Sequence, residues 1–304
     1  MDKNFSISKD FVNTRLDRWF KKNVIYVPQS LIEKNIRKGN IRVNNEKKKS
    51  SYKLQQNDLV NIKNIHFKAD KHKEKKIKYI PTKKELTYSS SLFIENNENF
   101  SVINKPNGIP VQGGTKSKRN ILDILSKTKE FENSPPYPVH RIDKETTGVL
   151  IIAKNRKYAQ LLTSLFRIRK IHKTYLGIVL GEPKEKKGTL IDYLFHYEDD
   201  KKVKTKAITH FQVVDSNGKY SLLKLNPLTG RKHQLRKQLL NIGNPILGDS
   251  KYRLNKNTYK KDAHLMLHAY KINFSINNIK YNFKADLPKD FLEILNEKYL
   301  KNYF

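Results

Sequence analysis

The chain has 304 residues, 37% of them hydrophobic, and its 62 Lys and Arg against 29 Asp and Glu give a formal net charge of +33. Such a surplus calls for a polyanionic partner, and nucleic acid fits better than an anionic membrane because no long apolar stretch or anchored basic amphipathic helix is present. The absence of cysteine excludes disulfides, Cys-ligated zinc, iron–sulfur clusters and a thiol nucleophile. The start, Met1-Asp2-Lys3-Asn4-Phe5-Ser6, lacks the apolar core of a secretory signal, so a soluble cytoplasmic protein is expected. The length favours one large domain plus a small one.

Residues 13–62 read as a small αβ unit. Leu16, Trp19 and Phe20 have helical spacing, as do Leu31, Ile32 and Ile36. Ser30 with Glu33 predicts a capping box for the second helix, and Gly39 predicts its end. Ile41-Arg42-Val43 and Leu59 to Ile62 are predicted strands, with Asn44-Asn45 a hairpin turn. Arg15, Arg37, Lys38 and Arg42 are among many cations on this unit; their clustering at one helix end beside a hairpin favours phosphate contact over a merely solvated face.

Residues 63–85 hold nine Lys, few apolar residues and Pro81, so 63–90 is expected to be a basic linker. From 91 to 304 short β-rich runs alternate with helical patterns at 120–126, 155–168 and 233–241, which makes an α+β domain. Phe291 to Phe304 reads as a terminal amphipathic helix.

The most informative stretch is His140-Arg141-Ile142-Asp143-Lys144-Glu145-Thr146-Thr147-Gly148, followed by the apolar run Val149 to Ala153. It sets one carboxylate, Asp143, among cations on a turn feeding a strand, where neighbouring positive charge favours the charged form. A charged carboxylate suits a nucleophile or base; the same pattern also suits an Asp that merely closes a turn. In Thr229-Gly230-Arg231-Lys232-His233-Gln234-Leu235-Arg236-Lys237-Gln238 a turn feeds a helix carrying His233, Arg236 and Lys237 on one face. Cations at a helix start call for a bound anion or a carboxylate partner, unless this is a plain basic surface helix. Tyr175 opens the strand to Leu180, where its ring could stack on a base or pack in the sheet. No dinucleotide or phosphate loop, Gly-x-Ser-x-Gly elbow or His-Glu-x-x-His is present. His264 and His268 have a ligand-like spacing, but ordinary packing explains them better, so no metal is expected.

Taken together, Asn104 to Gly114, His140 to Gly148, Lys173-Thr174-Tyr175 and Thr229 to Arg236, with Gly248-Asp249 and Leu267-His268-Ala269, resemble the motifs of the RluA family of pseudouridine synthases in their order. Arg15-Leu16-Asp17, Ile36 to Asn44 and Asn57 to Val60 resemble the S4 RNA-binding domain, a pairing that points to the RluC branch, which acts on large-subunit ribosomal RNA. The resemblance implies a mixed, mainly antiparallel sheet with flanking helices and a central cleft. It implies 23S ribosomal RNA as partner and no cofactor or metal; the oligomeric state is left open, with a monomer favoured. Asp143 would be the essential carboxylate, Arg236 its ion-pair partner, and Tyr175 the ring that stacks on the target base and assists the late proton loss from C5. Arg141 would fill the site vacated by the flipped nucleotide or grip its phosphate, Lys105 and Arg231 would contact the RNA backbone, and His140 would support the turn. Gln112 and Gln238 stand where the family usually has His, and Thr147 where Ser is common. A non-catalytic RNA-binding or ribosome-assembly factor is the competing reading.

Overall fold

A computed structural model describes residues 3–25, 27–63, 79–113, 119–198, 201–254, 264–301 and 303. The chain divides into two compact units, Met1–Lys76 and Ile77–Phe304. The first unit comprises β1 (Lys3–Ser6), α1 (Leu16–Asn23), α2 (Gln29–Lys38), β2 (Ile41–Val43) and β3 (Leu59–Ile62). Its three strands pair antiparallel in the order β1-β3-β2. The helices turn Leu16, Trp19, Phe20, Ile32 and Ile36 into one core against Val43 and Val60.

Two expectations for this unit need correction. β1 was not predicted, so the unit begins before residue 13; it is a four-residue strand with mostly exposed side chains and no apolar alternation to betray it. The Ser30 capping box does not form: α2 starts at Gln29, capped by Pro28, whose ring presets the turn without a side-chain bond. Gln29 instead donates to Asp17 Oδ2 at 2.9 Å, tying α2 to α1. Gly39 does end α2, at φ +80°, and Asn44 and Asn45 form the predicted turn with φ of 52° and 66°.

The stretch expected to be a linker contains a helix, α3 (Lys83–Ser90), within the second unit. Thr82 and Glu85 form a capping box, and Glu85 also binds Tyr79 and Arg119, so the cations here flank a tethered helix rather than open coil. Residues 64–78 of the expected linker lie outside the described residues. After α3 come β4 (Phe93–Asn96), β5 (Phe100–Lys105), α4 (Ile121–Leu125), β6 (Tyr137–Pro138), β7 (Thr147–Ala153) and α5 (Arg156–Arg167). Then follow β8 (His172–Leu180), β9 (Lys187–Glu198), β10 (Lys201–Ser216), β11 (Tyr220–Pro227), α6 (Gln234–Asn241), β12 (Leu267–Ile276), β13 (Ile279–Lys284) and α7 (Lys289–Glu297). Against expectation α7 stops at Glu297, where Leu300 N–H turns back to the Leu295 carbonyl and Tyr299 takes φ 52°.

These strands form one ten-stranded sheet in the order β4-β5-β7-β12-β8-β11-β10-β9, with β6 added to β7 and β13 to β12. Pairing is antiparallel throughout except between β7 and β12. Apolar clusters fill the sheet's surroundings, one centred on Leu176, Leu223 and Leu239, another on Ile103, Leu150 and Ile152. Among the described residues no helix is long and apolar enough to cross a membrane.

The parallel seam, where His268 faces Thr147 and Ala269 faces Gly148, holds the start of β7 in place. Gly148 sits there at φ +106°, and a Cβ would lie 2.2 Å from the Ala269 carbonyl oxygen. Gly148→Ala therefore combines backbone strain with a backbone clash and should cost about 3 kcal/mol or more. The check is the urea unfolding midpoint, expected to fall with an unchanged slope.

Candidate active site

Asp143 stands on the turn entering β7, and that turn is held from three sides. Thr146 N–H closes it on the Asp143 carbonyl at 3.2 Å, and Gly108 N–H donates to the Lys144 carbonyl at 3.0 Å. His140 accepts the Ile151 N–H on Nε2 at 2.9 Å while its ring stacks on Phe166. Burial, with the Lys173 cation adding to it, pushes His140 down to about 3, so it is a neutral brace, as expected of it.

Lys105 is the third support, and its position corrects the expectation of an RNA contact. The side chain is fully buried at the end of β5. Its ammonium donates to the carbonyls of Pro106 at 2.7 Å, Ile109 at 3.0 Å and Lys144 at 3.1 Å. Burial lowers the ammonium to about 7, against the pull of Glu145 and Asp143. No donor is left for a phosphate, so Lys105 is a fastener beneath the Asp143 turn.

The facing wall comes from α6. Thr229 and Gln234 build the turn before it: the Gln234 side-chain Oε1 accepts from Thr229 Oγ1 at 2.7 Å and from the Arg231 backbone amide at 3.0 Å. Gln238 clamps α6 to β9 and β10, accepting from Thr209 Oγ1 and donating to Asp192 Oδ2, so this departure from the family pattern is a packing device. Arg236, 2% exposed, projects to the Asp143 turn. Its Nη1 lies 3.6 Å from Asp143 Oδ2 and 3.4 Å from Glu145 Oε2.

The expected ion pair is thus present, but its bidentate geometry goes elsewhere. Arg236 Nε and Nη2 grip the two oxygens of Asp249 at 2.7 and 2.8 Å. Asp249 also accepts the backbone amides of Lys251 and Tyr252. Burial alone would raise the Asp249 carboxyl; the Arg236 bond and these amides outweigh it and hold it below its ordinary value. Arg236 therefore presents one remaining edge of its guanidinium to Asp143, already fixed by a buried anchor.

A cavity of about 660 Å³ opens between these walls, lined by Arg141, Asp143, Tyr175, Arg231, His233 and Arg236 among others. Its size suits one extruded nucleoside. Tyr175 is partly buried on β8, and burial, reinforced by the Asp143 charge, pushes its phenol up, so it keeps its proton. Lys173, in the same wall, is lowered to about 8 by burial. Arg141 and Arg231 are exposed at the rim, and Arg231 donates to the Lys206 carbonyl at 3.3 Å. Asp143, Tyr175, Arg236, Arg141 and Arg231 come together here. Sequence reasoning missed Glu145 and Tyr252, saw His233 only as one member of a basic helical face, and had Asp249 only as a motif echo.

His264 and His268 do not converge. His264 is exposed and pairs with Asp290, whereas His268 is fully buried between Thr147 Oγ1 at 2.8 Å and the Ala285 carbonyl at 3.2 Å. Among the described residues no group of three His, Asp or Glu is placed to hold a metal ion. Burial lowers His268 to about 4 from 6.5. Since the unfolded chain takes up this proton first, the contribution of His268 is unchanged above about 6.5 and costs about 3 kcal/mol as pH falls towards 4. Unfolding followed across that window should show the slope in the wild type and a flatter one in His268→Gln.

Comparison with known proteins decides what this arrangement belongs to. Residues 99–241 match the family model described as RNA pseudouridylate synthase. Over 307 residues the chain is 33% identical to the "Ribosomal large subunit pseudouridine synthase C" of Buchnera aphidicola subsp. Acyrthosiphon pisum, covering 95% of both chains. Similarity to the protein of the same name from Vibrio vulnificus is 30% over 280 residues, 88% of this chain and 87% of that one. The chain belongs to the RNA pseudouridylate synthase family. Among solved structures, "Human RNA Pseudouridylate Synthase Domain Containing 4" superimposes on 72% of this synthase and 98% of itself, with a TM-score of 0.62 and 28% identity. The mixed, mainly antiparallel sheet with flanking helices is thus the fold of this family, and the cavity carrying Asp143 is lined by the matched stretch together with Leu267 of β12.

Proposed function

We propose that this synthase converts specific uridines of large-subunit, 23S, ribosomal RNA into pseudouridine, as a cytoplasmic monomer without cofactor or metal. The observation that carries the reading is the Asp143 carboxylate facing Arg236 in a cavity large enough for one nucleoside. In the reaction the N1–C1′ bond breaks, the uracil turns, C5 bonds to C1′, the C5 proton leaves and N1 gains one. Asp143 acts at the sugar, oriented by Arg236. Tyr175, with its phenol protonated, is a stacking platform for the turning base. Extruding the uridine costs a few kcal/mol, and Arg141 at the rim is positioned to occupy the gap it leaves.

The first unit is read as an RNA grip of the S4 type. Arg37 and Lys38 are exposed in the last turn of α2, the end nearest the β2 hairpin. Arg42 is tied to the Gly39 and Asn45 carbonyls, and Arg15 to Asp17, so both offer oriented charge rather than loose side chains. A pure RNA-binding factor has no use for a fixed carboxylate, a protonated phenol and a guanidinium around one cavity. Chemical mapping of pseudouridine in ribosomal RNA, with and without this protein in the cell, tests the proposal. Loss of defined large-subunit sites is expected; an unchanged map refutes it.

A further inference from the structure

His233 is a residue of the cavity wall held in a costly backbone conformation and with no part in the reading so far. It caps α6 in the left-handed region, φ 54° and ψ 34°, without any side-chain bond to the helix. A non-glycine residue held there is strained by roughly 1–3 kcal/mol, and such strain collects where a side chain must be aimed. The imidazole is aimed at two groups. Its Nδ1 lies 2.9 Å from the Tyr252 hydroxyl, and its Nε2 lies 3.8 Å from Asp143 Oδ1. The other carboxylate oxygen, Oδ2, is the one facing Arg236.

Resting on the reading of Asp143 above, we infer that His233 is a positioning residue, a neutral imidazole whose Nε2–H is directed at Asp143 Oδ1 while its Nδ1 accepts from Tyr252. Two constraints fix this tautomer. A proton on Nε2 points at a carboxylate, whereas a lone pair there would face negative charge. With Nε2 protonated, Nδ1 needs a donor, and the Tyr252 hydroxyl is one. A second proton is disfavoured on balance: burial first, joined by the Arg236, Lys251 and Lys232 cations, lowers His233 against the upward pull of Asp143.

The division of labour has a chemical sense. Arg236 gives Asp143 one charged neighbour; a second full cation on the other oxygen would tie up the electron pair the reaction needs. A neutral N–H orients the carboxylate plane without that penalty. Tyr252 belongs to the same support, since the Arg236 guanidinium lies 5.2 Å from its ring and its backbone amide is bound by Asp249. The anchor that fixes Arg236 thereby also fixes the hydroxyl that sets the His233 tautomer.

The test combines a tautomer measurement with kinetics on the full chain. In protein labelled with ¹⁵N at histidine, the cross-peaks lost in His233→Gln identify this ring, and their pattern is expected to be that of the neutral Nε2–H form at neutral pH. Tyr252→Phe should shift population to the other tautomer. In single-turnover assays His233→Leu is expected to slow the chemical step by on the order of 10- to 100-fold with RNA affinity little changed. His233→Gln, which carries an N–H to the same place, should recover most of it. An Nδ1–H or doubly protonated ring in the wild type overturns the inference, as does a His233→Leu enzyme with an undiminished chemical step. If the wild type itself makes no pseudouridine, the activity reading fails, while the ring's tautomer is still read independently.

Discussion

Asp143→Asn is expected to abolish pseudouridine formation, by on the order of 10⁴-fold or more, while leaving RNA affinity within a few-fold of the wild type. The substitution keeps size and one carbonyl oxygen but removes the charge and the electron pair that act at the sugar. Binding is spared because affinity comes from the many cations spread over both units, of which Arg37, Lys38, Arg141 and Arg231 are exposed examples. The turn is spared because it is fastened through backbone: the Thr146 amide on the Asp143 carbonyl, and Lys105 on the Lys144 carbonyl. Single-turnover assays on a ribosomal RNA fragment, beside a binding titration at fixed salt, read the two effects separately. Full activity in this variant would end the assignment of Asp143.

The second large effect concerns a residue that never reaches the substrate. Asp249 is 3% exposed and Arg236 2%, and each is the other's bidentate partner. Asp249→Ala leaves a buried guanidinium with its anchor gone and two backbone amides bare. Breaking one side of such a pair costs about 3–5 kcal/mol, and in a chain of this size that lowers the melting temperature by roughly 10 °C. Activity should fall together with stability, since Arg236 is then free to swing away from Asp143. The double substitution Arg236→Met with Asp249→Leu separates the two roles. It should regain most of the lost stability, because replacing a whole buried pair by apolar groups is close to neutral, yet remain inactive. A stable and active double variant would show that the guanidinium is dispensable.

What was legible in the sequence follows the reach of its local signals. Asp143, Tyr175 and Arg236 each sit in a contiguous run whose turn, strand or helix start is written in neighbouring residues, and the cavity does gather all three. Asp249 as the bidentate partner was not legible, because the bond joins α6 to a turn 13 residues on, and no periodicity links the two. Lys105 was misread for a different reason. In a chain with 62 cations a lysine destined for the interior looks like every other, and three main-chain carbonyls leave no sequence mark. His233 was seen as one member of a basic helical face; its left-handed backbone and its link to Tyr252 exist only in three dimensions. In the fold the same rule holds. The amphipathic helices and apolar strands were readable, but β1 lacks a pattern, and α3 lay hidden under the lysine count of its surroundings.

The Lys105 fastener has one more implication. An ammonium projects its three hydrogens as a tripod, and each leg here stands on a different piece of main chain: the residue after β5, the loop at Ile109 and the turn at Lys144. A guanidinium, being flat, has no pose that reaches three such converging oxygens, and a thioether would leave all of them dry and unsatisfied. The segment from Pro106 to Ile109 and the turn that carries Asp143 are consequently welded at a single nitrogen, so neither can loosen without releasing the other.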